Sequence, residues 1–324
     1  MAEPRIRRRG SGLVLAVASA LAFGGSGPFA RPLIDAGLDP IHVTWLRIAG
    51  AALVLLPAAL ARLHLLRTRP ALLLAYGVFP MAGVQACYFA AISRIPVGIA
   101  LLIEFLGPVL VLAWMRLVRR RPVPPTAAIG IALAVSGLAC LVEVWAGISL
   151  DAPGLALALG AACCQAAYFL LSDAGGDEAD PMAVIAFGAT IGAALITPLA
   201  APWTLPWHLL ADDVAVAGLK TPAPLLVAWL CVVSTALAYA TGVAAIRRLS
   251  PTAAGAAAYL EVVTAIVLAW LLLGEALSPP QTAGAVIVVA GAFLAQRAVP
   301  PPEPDARTTA EEVCDSAGAA GTPR

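Results

Sequence analysis

Ten stretches of this 324-residue chain are each apolar over about the length a helix needs to cross a bilayer, and that limits the fold more than any other feature. A hydrocarbon core about 30 Å thick takes roughly 20 helical residues at about 1.5 Å each. The stretches are 12–30, 41–61, 71–92, 97–115, 125–145, 153–172, 182–201, 223–246, 252–273 and 280–297. Lipid offers no hydrogen bonds to the backbone, so each must satisfy its own amides as a helix. Charged residues make up 12% of the chain and hydrophobic ones 61%. A soluble domain carries about 25% charge, so this chain has too few polar groups to cover a water-facing surface. The predicted fold class is all-α: a polytopic membrane protein with ten transmembrane helices.

The placement of Arg and Lys predicts the orientation, because cytoplasmic loops keep the positive charge. With the N-terminus in the cytoplasm, fourteen basic residues fall inside, among them Arg5, Arg62, Arg116, Arg247 and Arg297, and only Arg31, Arg94 and Lys220 fall outside. Both termini are then cytoplasmic, and the membrane is a bacterial-type plasma (inner) membrane. The acidic segment 173–180 is the one loop that dissents, and acidic residues carry little weight in the rule. Residues 1–11 are a basic cytoplasmic N-terminus. The start resembles a secretory signal, but nine further spans follow, so it reads as an uncleaved first helix. Residues 299–324, rich in Pro, Ala, Gly and charge, are expected to be a disordered cytoplasmic tail.

The chain also echoes itself. Ala90–Pro96 (AAISRIP) recurs as Ala244–Pro251 (AAIRRLSP), Phe105-Leu106 falls on Tyr259-Leu260, and Gly130 and Gly137 fall on Gly284 and Gly291. Leu13–Ala16 is echoed by Leu155–Ala158. This divides the chain into a first five-helix repeat, 12–147, and a second, 152–298. Five is odd, so the second copy is inverted in the membrane. Inverted repeats are a recurrent transporter design, with the solute near the midplane between the halves.

Few ionisable groups sit inside the spans, where each is costly unless it faces protein or water. They are Glu104, Glu261 and Arg47. Glu104 precedes Pro108 in Glu104-Phe-Leu-Gly107-Pro108, and Pro has no N–H to give the carbonyl of residue 104. A carboxylate and a freed carbonyl then share one turn, a spot suited to an amine or a proton; the alternative is a structural carboxyl, protonated or paired with Arg. Under the repeat Glu261 falls on Gly107, one turn from Glu104. Arg47 is either a ligand for a solute carboxylate, the partner of a buried Glu, or a chain that snorkels outward. Gln85 with Tyr88, and Gln165 with Tyr168, stand three apart and form one polar face each, lining a cavity or bonding helix to helix. Tyr239 and Tyr259 are weaker candidates.

The remaining reactive residues have bland readings. Cys87, Cys140, Cys163, Cys164 and Cys231 sit in apolar stretches and Cys314 in the polar tail, at no disulfide or zinc spacing. No metal site and no cofactor are expected. Glu143, Glu275, Trp145, Trp203 and Trp207 fall at membrane interfaces, where Trp is common.

With these residues in view, the sequence resembles the drug/metabolite transporter superfamily, EamA family, over about residues 12–297. The stretches carrying the likeness are Leu249-Ser-Pro251, Leu273-Gly-Glu275 and Pro279. The runs 95–108 (IPVGIALLIEFLGP), 154–160 (GLALALG) and Ser234–Leu237 (STAL) are similar to the bacterial threonine/homoserine exporter branch. That resemblance implies export of neutral amino acids such as threonine and homoserine by alternating access, coupled to protons. Glu104, Gly107 and Pro108 match its first motif; Glu261 and Glu275 match its second. Val262, Arg119–Arg121 and Gln165 depart from its pattern. Other metabolites or cationic drugs are the alternative cargo. An integral-membrane enzyme would need an Asp-rich, His-Asp or phosphate-loop motif, and none stands out; a non-transporting receptor or scaffold is the reading from another class. The implied partners are a small solute, protons and membrane lipid, with room for a homodimer and no role for nucleic acid.

Overall fold

The computed structural model describes residues 3–120, 124–143, 145, 150–174, 180–246, 248–249 and 251–297. The tail expected to be disordered, Arg121, Cys314 and the middle of the acidic segment lie outside these residues. Almost everything described is helical. In chain order the elements are α1 (Glu3–Gly24), α2 (Ser26–Asp35), α3 (Pro40–Leu60), α4 (Pro70–Ile92), α5 (Val97–Glu104), α6 (Gly107–Leu117), α7 (Pro125–Leu141), α8 (Ala152–Ala174) and α9 (Pro181–Ala200). An antiparallel hairpin follows, β1 (Asp213–Val216) with β2 (Leu219–Pro222), then α10 (223–246), α11 (251–273) and α12 (Pro279–Arg297).

Among the described residues, seven helical segments are long and apolar enough to cross a membrane, α1 and α2 counting together as one and α5 and α6 as another. Three further apolar helices, Pro125–Leu141, Tyr259–Leu273 and Pro279–Ala295, are shorter. They coincide with the fifth, ninth and tenth expected stretches. The hairpin is a departure from the expected all-α class. Gly218 at φ 78° and Ala217 at φ 51° make its tight turn.

Local chemistry explains several ends and breaks. Asp39 and Asp180 precede Pro40 and Pro181, and each carboxylate accepts the second helical N–H, from Ile41 at 3.0 Å and from Met182 at 3.1 Å. This is the N-cap geometry, with Pro at the position that lacks a helical acceptor. Pro28 cannot donate to Gly24, and the helix breaks at Gly25 between α1 and α2. Pro108 has the anticipated effect: α5 ends at Glu104, Phe105 and Leu106 form a turn, and α6 starts at Gly107. Wide π-turns interrupt α4 at Gly77–Val84 and α10 at Trp229–Leu237.

Packing sorts the helices into sets. α1 lies against α10 and α11, whereas α8 lies against α4, α5 and α6. α3 packs on α9 and on the π-turn of α10, and α9 on the π-turn of α4. α7 and α12 form the tightest pair. A Cβ on Gly130 would stand 2.6 Å from the Ala295 nitrogen, and one on Gly137 2.6 Å from the Val288 nitrogen. Cβ atoms on Gly284 and Gly291 would come within 2.6 Å of the Leu141 nitrogen and 2.5 Å of the Ala134 nitrogen. The helices therefore run antiparallel, touching backbone to backbone at four glycines. Among lipid-solvated helices such close approach is a main source of association.

The connections collect at two ends. Arg62 pairs with Asp180 at 3.6 Å at one end, where Gly12 also meets Arg248 and Leu249. At the other, Arg94 pairs with Asp151 at 3.4 Å, Ser278 donates to Glu143, and the hairpin lies against α2.

The glycine seam makes a prediction. Gly284→Ala must push the backbone of α7 aside, at a cost of about 1–3 kcal/mol. Thermal unfolding in detergent should show a clear fall in Tm, and Gly284→Leu a larger one. An unchanged Tm for both would mean that the seam contributes nothing to stability.

Candidate functional site

Arg47 faces inward from the middle of α3 with 3% of its surface exposed. Its Nε donates to Thr235 Oγ1 at 2.9 Å, and Nη1 donates to Ser26 Oγ at 2.6 Å and to Gln85 Oε1 at 2.5 Å. Nη2 donates to the Ser234 carbonyl at 3.0 Å. The Phe89 ring lies beneath, its centroid 5.3 Å from Cζ. One guanidinium thus ties α2, α3, α4 and α10 together.

The broken helices supply those acceptors. In the π-turn of α10 the Ala238 N–H bonds to the carbonyl of Val233, so the Ser234 carbonyl is left for Arg47. Thr235 donates its hydroxyl proton to the Leu230 carbonyl at 2.8 Å, which turns its lone pairs to Nε. Ser26 opens α2 just past the break at Gly25. Among the described residues, three buried polar side-chain atoms lack a partner, and two of them, Trp229 Nε1 and Ser234 Oγ, belong to this same stretch of α10.

The two carboxylates complete the cluster. α5–α6 and α11 run antiparallel: Gly98 meets Ile266, and the Phe105 and Tyr259 rings lie 6.0 Å apart. That register sets Glu261 beside Ile103, one residue, or about 1.5 Å of rise, from the level of Glu104. Glu104 is 7% exposed and accepts no hydrogen bond among the described residues. Neither carboxylate forms an ion pair with Arg47, yet both act on it through space. With all three ionised, the cluster carries one net negative charge.

The other candidates divide. Gln85 is an Arg47 ligand, and Tyr88 is buried with its hydroxyl against Gly27. Gln165 packs on Gly107, next to the helix break. Tyr168 instead meets Tyr76 edge-to-face at 5.3 Å. Tyr239 meets Phe23 edge-to-face at 4.8 Å. The reading of Arg47 as the partner of a buried Glu is corrected here: its contacts are hydroxyls, an amide and a carbonyl. Sequence reasoning missed Ser26, Ser234, Thr235 and Phe89. Ser234 and Thr235 lie in the STAL run, and Ser26 in the Gly- and Pro-rich kink, so a signal existed for those three.

A bundle of apolar helices, interrupted at mid-depth around a buried and incompletely neutralised charge cluster, is the architecture of a membrane transporter. The sequence profile of the EamA-like transporter family matches residues 10–143 and again 152–296, and the chain belongs to that family. It is 34% identical over 249 residues to "Threonine/homoserine exporter RhtA" of Escherichia coli (strain K12), covering 76% of this chain and 78% of that one. It is 32% identical over 259 residues to the protein of the same name from Salmonella typhimurium (strain LT2), covering 78% and 80%. A solved crystal structure superposes with a TM-score of 0.58 at 20% identity, over 89% of this chain and 97% of that one. At that identity the likeness shows the fold alone. The chain is a multi-pass inner-membrane protein.

Removing the hub has a predictable cost. Arg47→Met strands the Gln85 oxygen and the Ser234 carbonyl, each worth about 1–3 kcal/mol when buried without a donor. The expected result is a large loss of Tm in detergent. Arg47→Lys should recover only part, since an ammonium cannot span acceptors on three neighbouring helices.

Proposed function

We propose that this protein exports small neutral amino acids of the threonine/homoserine type by alternating access, driven by proton exchange. The carrying observation is Glu104, a buried carboxylate at a mid-depth helix break that has no hydrogen-bond donor among the described residues. Such a group demands a proton or a solute ammonium, and exchange of one for the other is the elementary step of an antiporter. Glu261, at the same level, shares that role. Arg47 sets the local potential and holds Gln85 and Ser26 in place, and its unused N–H is the contact left for a solute carboxylate. The exporters to which the chain is related supply the cargo class.

The mechanism rests on ten spans arranged as two inverted five-helix repeats, residues 12–147 and 152–298, with both termini in the cytoplasm. Support comes from contacts that exchange under the repeat: Gly130 with Gly291 and Gly137 with Gly284, Phe105 with its counterpart Tyr259, and π-turns at matching places in α4 and α10. The two sets of helices would rock about the charge cluster.

A second reading is export of a cationic solute. Four protein acceptors already occupy Arg47, and with both glutamates ionised the surplus charge is negative, which favours a cation over a zwitterion.

The test is proton-driven uptake of labelled threonine into inverted membrane vesicles. Glu104→Gln should reduce it about tenfold or more, the effect of losing a charge-assisted contact of about 1.5–3 kcal/mol. Unchanged uptake at normal membrane levels would remove Glu104 from the mechanism. Competition by organic cations but not by threonine would select the second reading.

A further inference from the structure

At the end of the bundle that carries the hairpin, two charged side chains reach from α2 and from the end of α11 to the α4–α5 turn, beside apolar packing of Gly27 on Val97 and of Gly98 on Ile266. Arg31 sits on α2, which packs with α10 and α11, and Glu275 follows α11. Arg31 Nη1 donates to the carbonyls of Ile92 and, at 3.5 Å, Ile95, at the α4–α5 turn. Glu275 Oε2 accepts the N–H of Val97, the first residue of α5, at 2.8 Å. A carboxylate 178 positions away thus caps α5, where the helix dipole favours it. The two side chains meet at 3.9 Å, and Asp35 holds Arg31 from behind at 2.8 Å. Both line a cavity of about 780 Å³ walled by Asp35, Asp213 and the hairpin. Five residues of α2, about 7.5 Å of rise, separate Arg31 from Ser26, which bonds Arg47.

We propose that Arg31 and Glu275 form a latch that shuts the outer mouth of the transport pathway, and that the mouth opens when their bonds to the α4–α5 turn part. The proposal rests on the exporter reading for its orientation. Each member reaches from the α1–α2–α10–α11 set to the set containing α4 and α5, so rocking the sets apart must break both contacts. Arg94 with Asp151 provides the contrast, since that ion pair joins the α4–α5 turn to α8 within one set.

The latch should also feel external acidity. Burial holds the Glu275 carboxyl above the usual carboxylate range, outweighing the Val97 N–H and Arg31. The charged groups facing it are Arg31 and Asp35 of α2 and Asp213 of the hairpin; the α4–α5 turn presents only backbone. The pair with Arg31 needs the ionised form, so it is intact at neutral pH and lost on acidification, at a higher pH than for an exposed Glu.

The experiment uses the full chain with native cysteines replaced by Ala and Ser26→Cys as reporter, in intact cells treated with a membrane-impermeant maleimide. Arg31→Gln and Glu275→Gln should each speed labelling roughly fivefold, the order expected when a half-buried ion pair is lost. Arg94→Gln should leave it unchanged. Maleimide attacks the thiolate, so labelling slows with acidity in every chain; the rate with Glu275 divided by the rate with Gln at that position should rise as external pH falls from about 8 to about 5.5. Equal acceleration by Arg94→Gln, or no acceleration by the other two, would overturn the latch. Acceleration seen only in inverted vesicles would keep the latch and reverse the orientation. Normal latch behaviour in a chain that moves no amino acid would leave the latch standing and sink the exporter reading.

Discussion

A guanidinium cannot stay ionised in hydrocarbon without replacing its hydration shell, and Arg47 obtains that replacement from three other helices. Its geometry dictates much of what surrounds it. The helix break at Gly25 delivers Ser26, the π-turn of α10 frees the Ser234 carbonyl, and α4 contributes Gln85 and the face of Phe89. Irregular backbone at membrane depth is tolerated only where protein or water covers it, and here the irregularities converge on one cation. The same desolvation argument leaves Glu104 and Glu261 unsettled, because Arg47 directs its hydrogen bonds to neutral groups and reaches the carboxylates only through space. The site is thus held together by protein acceptors on its positive side, while Glu104 has no hydrogen-bond donor among the described residues on its negative side.

The packing around this core differs from one end and one pair of helices to another. Where two backbones must touch, at the α7–α12 seam, glycines permit contact at 2.5–2.6 Å from an added Cβ, and that region is rigid by close packing. At the hairpin end polar and apolar joints lie side by side: Arg31 bonds two carbonyls and Glu275 one N–H, next to Gly27 packed on Tyr88 and Val97.

Much of this was legible in the residues. Ten apolar stretches, the Pro108 break and the isolated Glu104, Glu261 and Arg47 each follow from a one-dimensional rule: a length, a missing N–H, or a charge in an apolar run. A three-residue spacing tells which side chains share a helix face but not which neighbour that face meets, so it did not say that Tyr168 would meet Tyr76. It also passed over Glu275 as an interfacial acid, and the hairpin before α10 carries no signal of that kind.

By itself the sequence determined that the chain lives in a membrane, that it is helical, and which few side chains pay a desolvation penalty there, since those properties depend on local composition and backbone chemistry. Only the tertiary structure decided what relieves that penalty. Whether Arg47 would meet a carboxylate or a ring of hydroxyls and carbonyls, and whether Glu275 would face water or cap α5, depends on the crossing of helices far apart in the chain. Hydrogen-bond partners are chosen in three dimensions, by distances of a few ångströms that no spacing along the chain encodes.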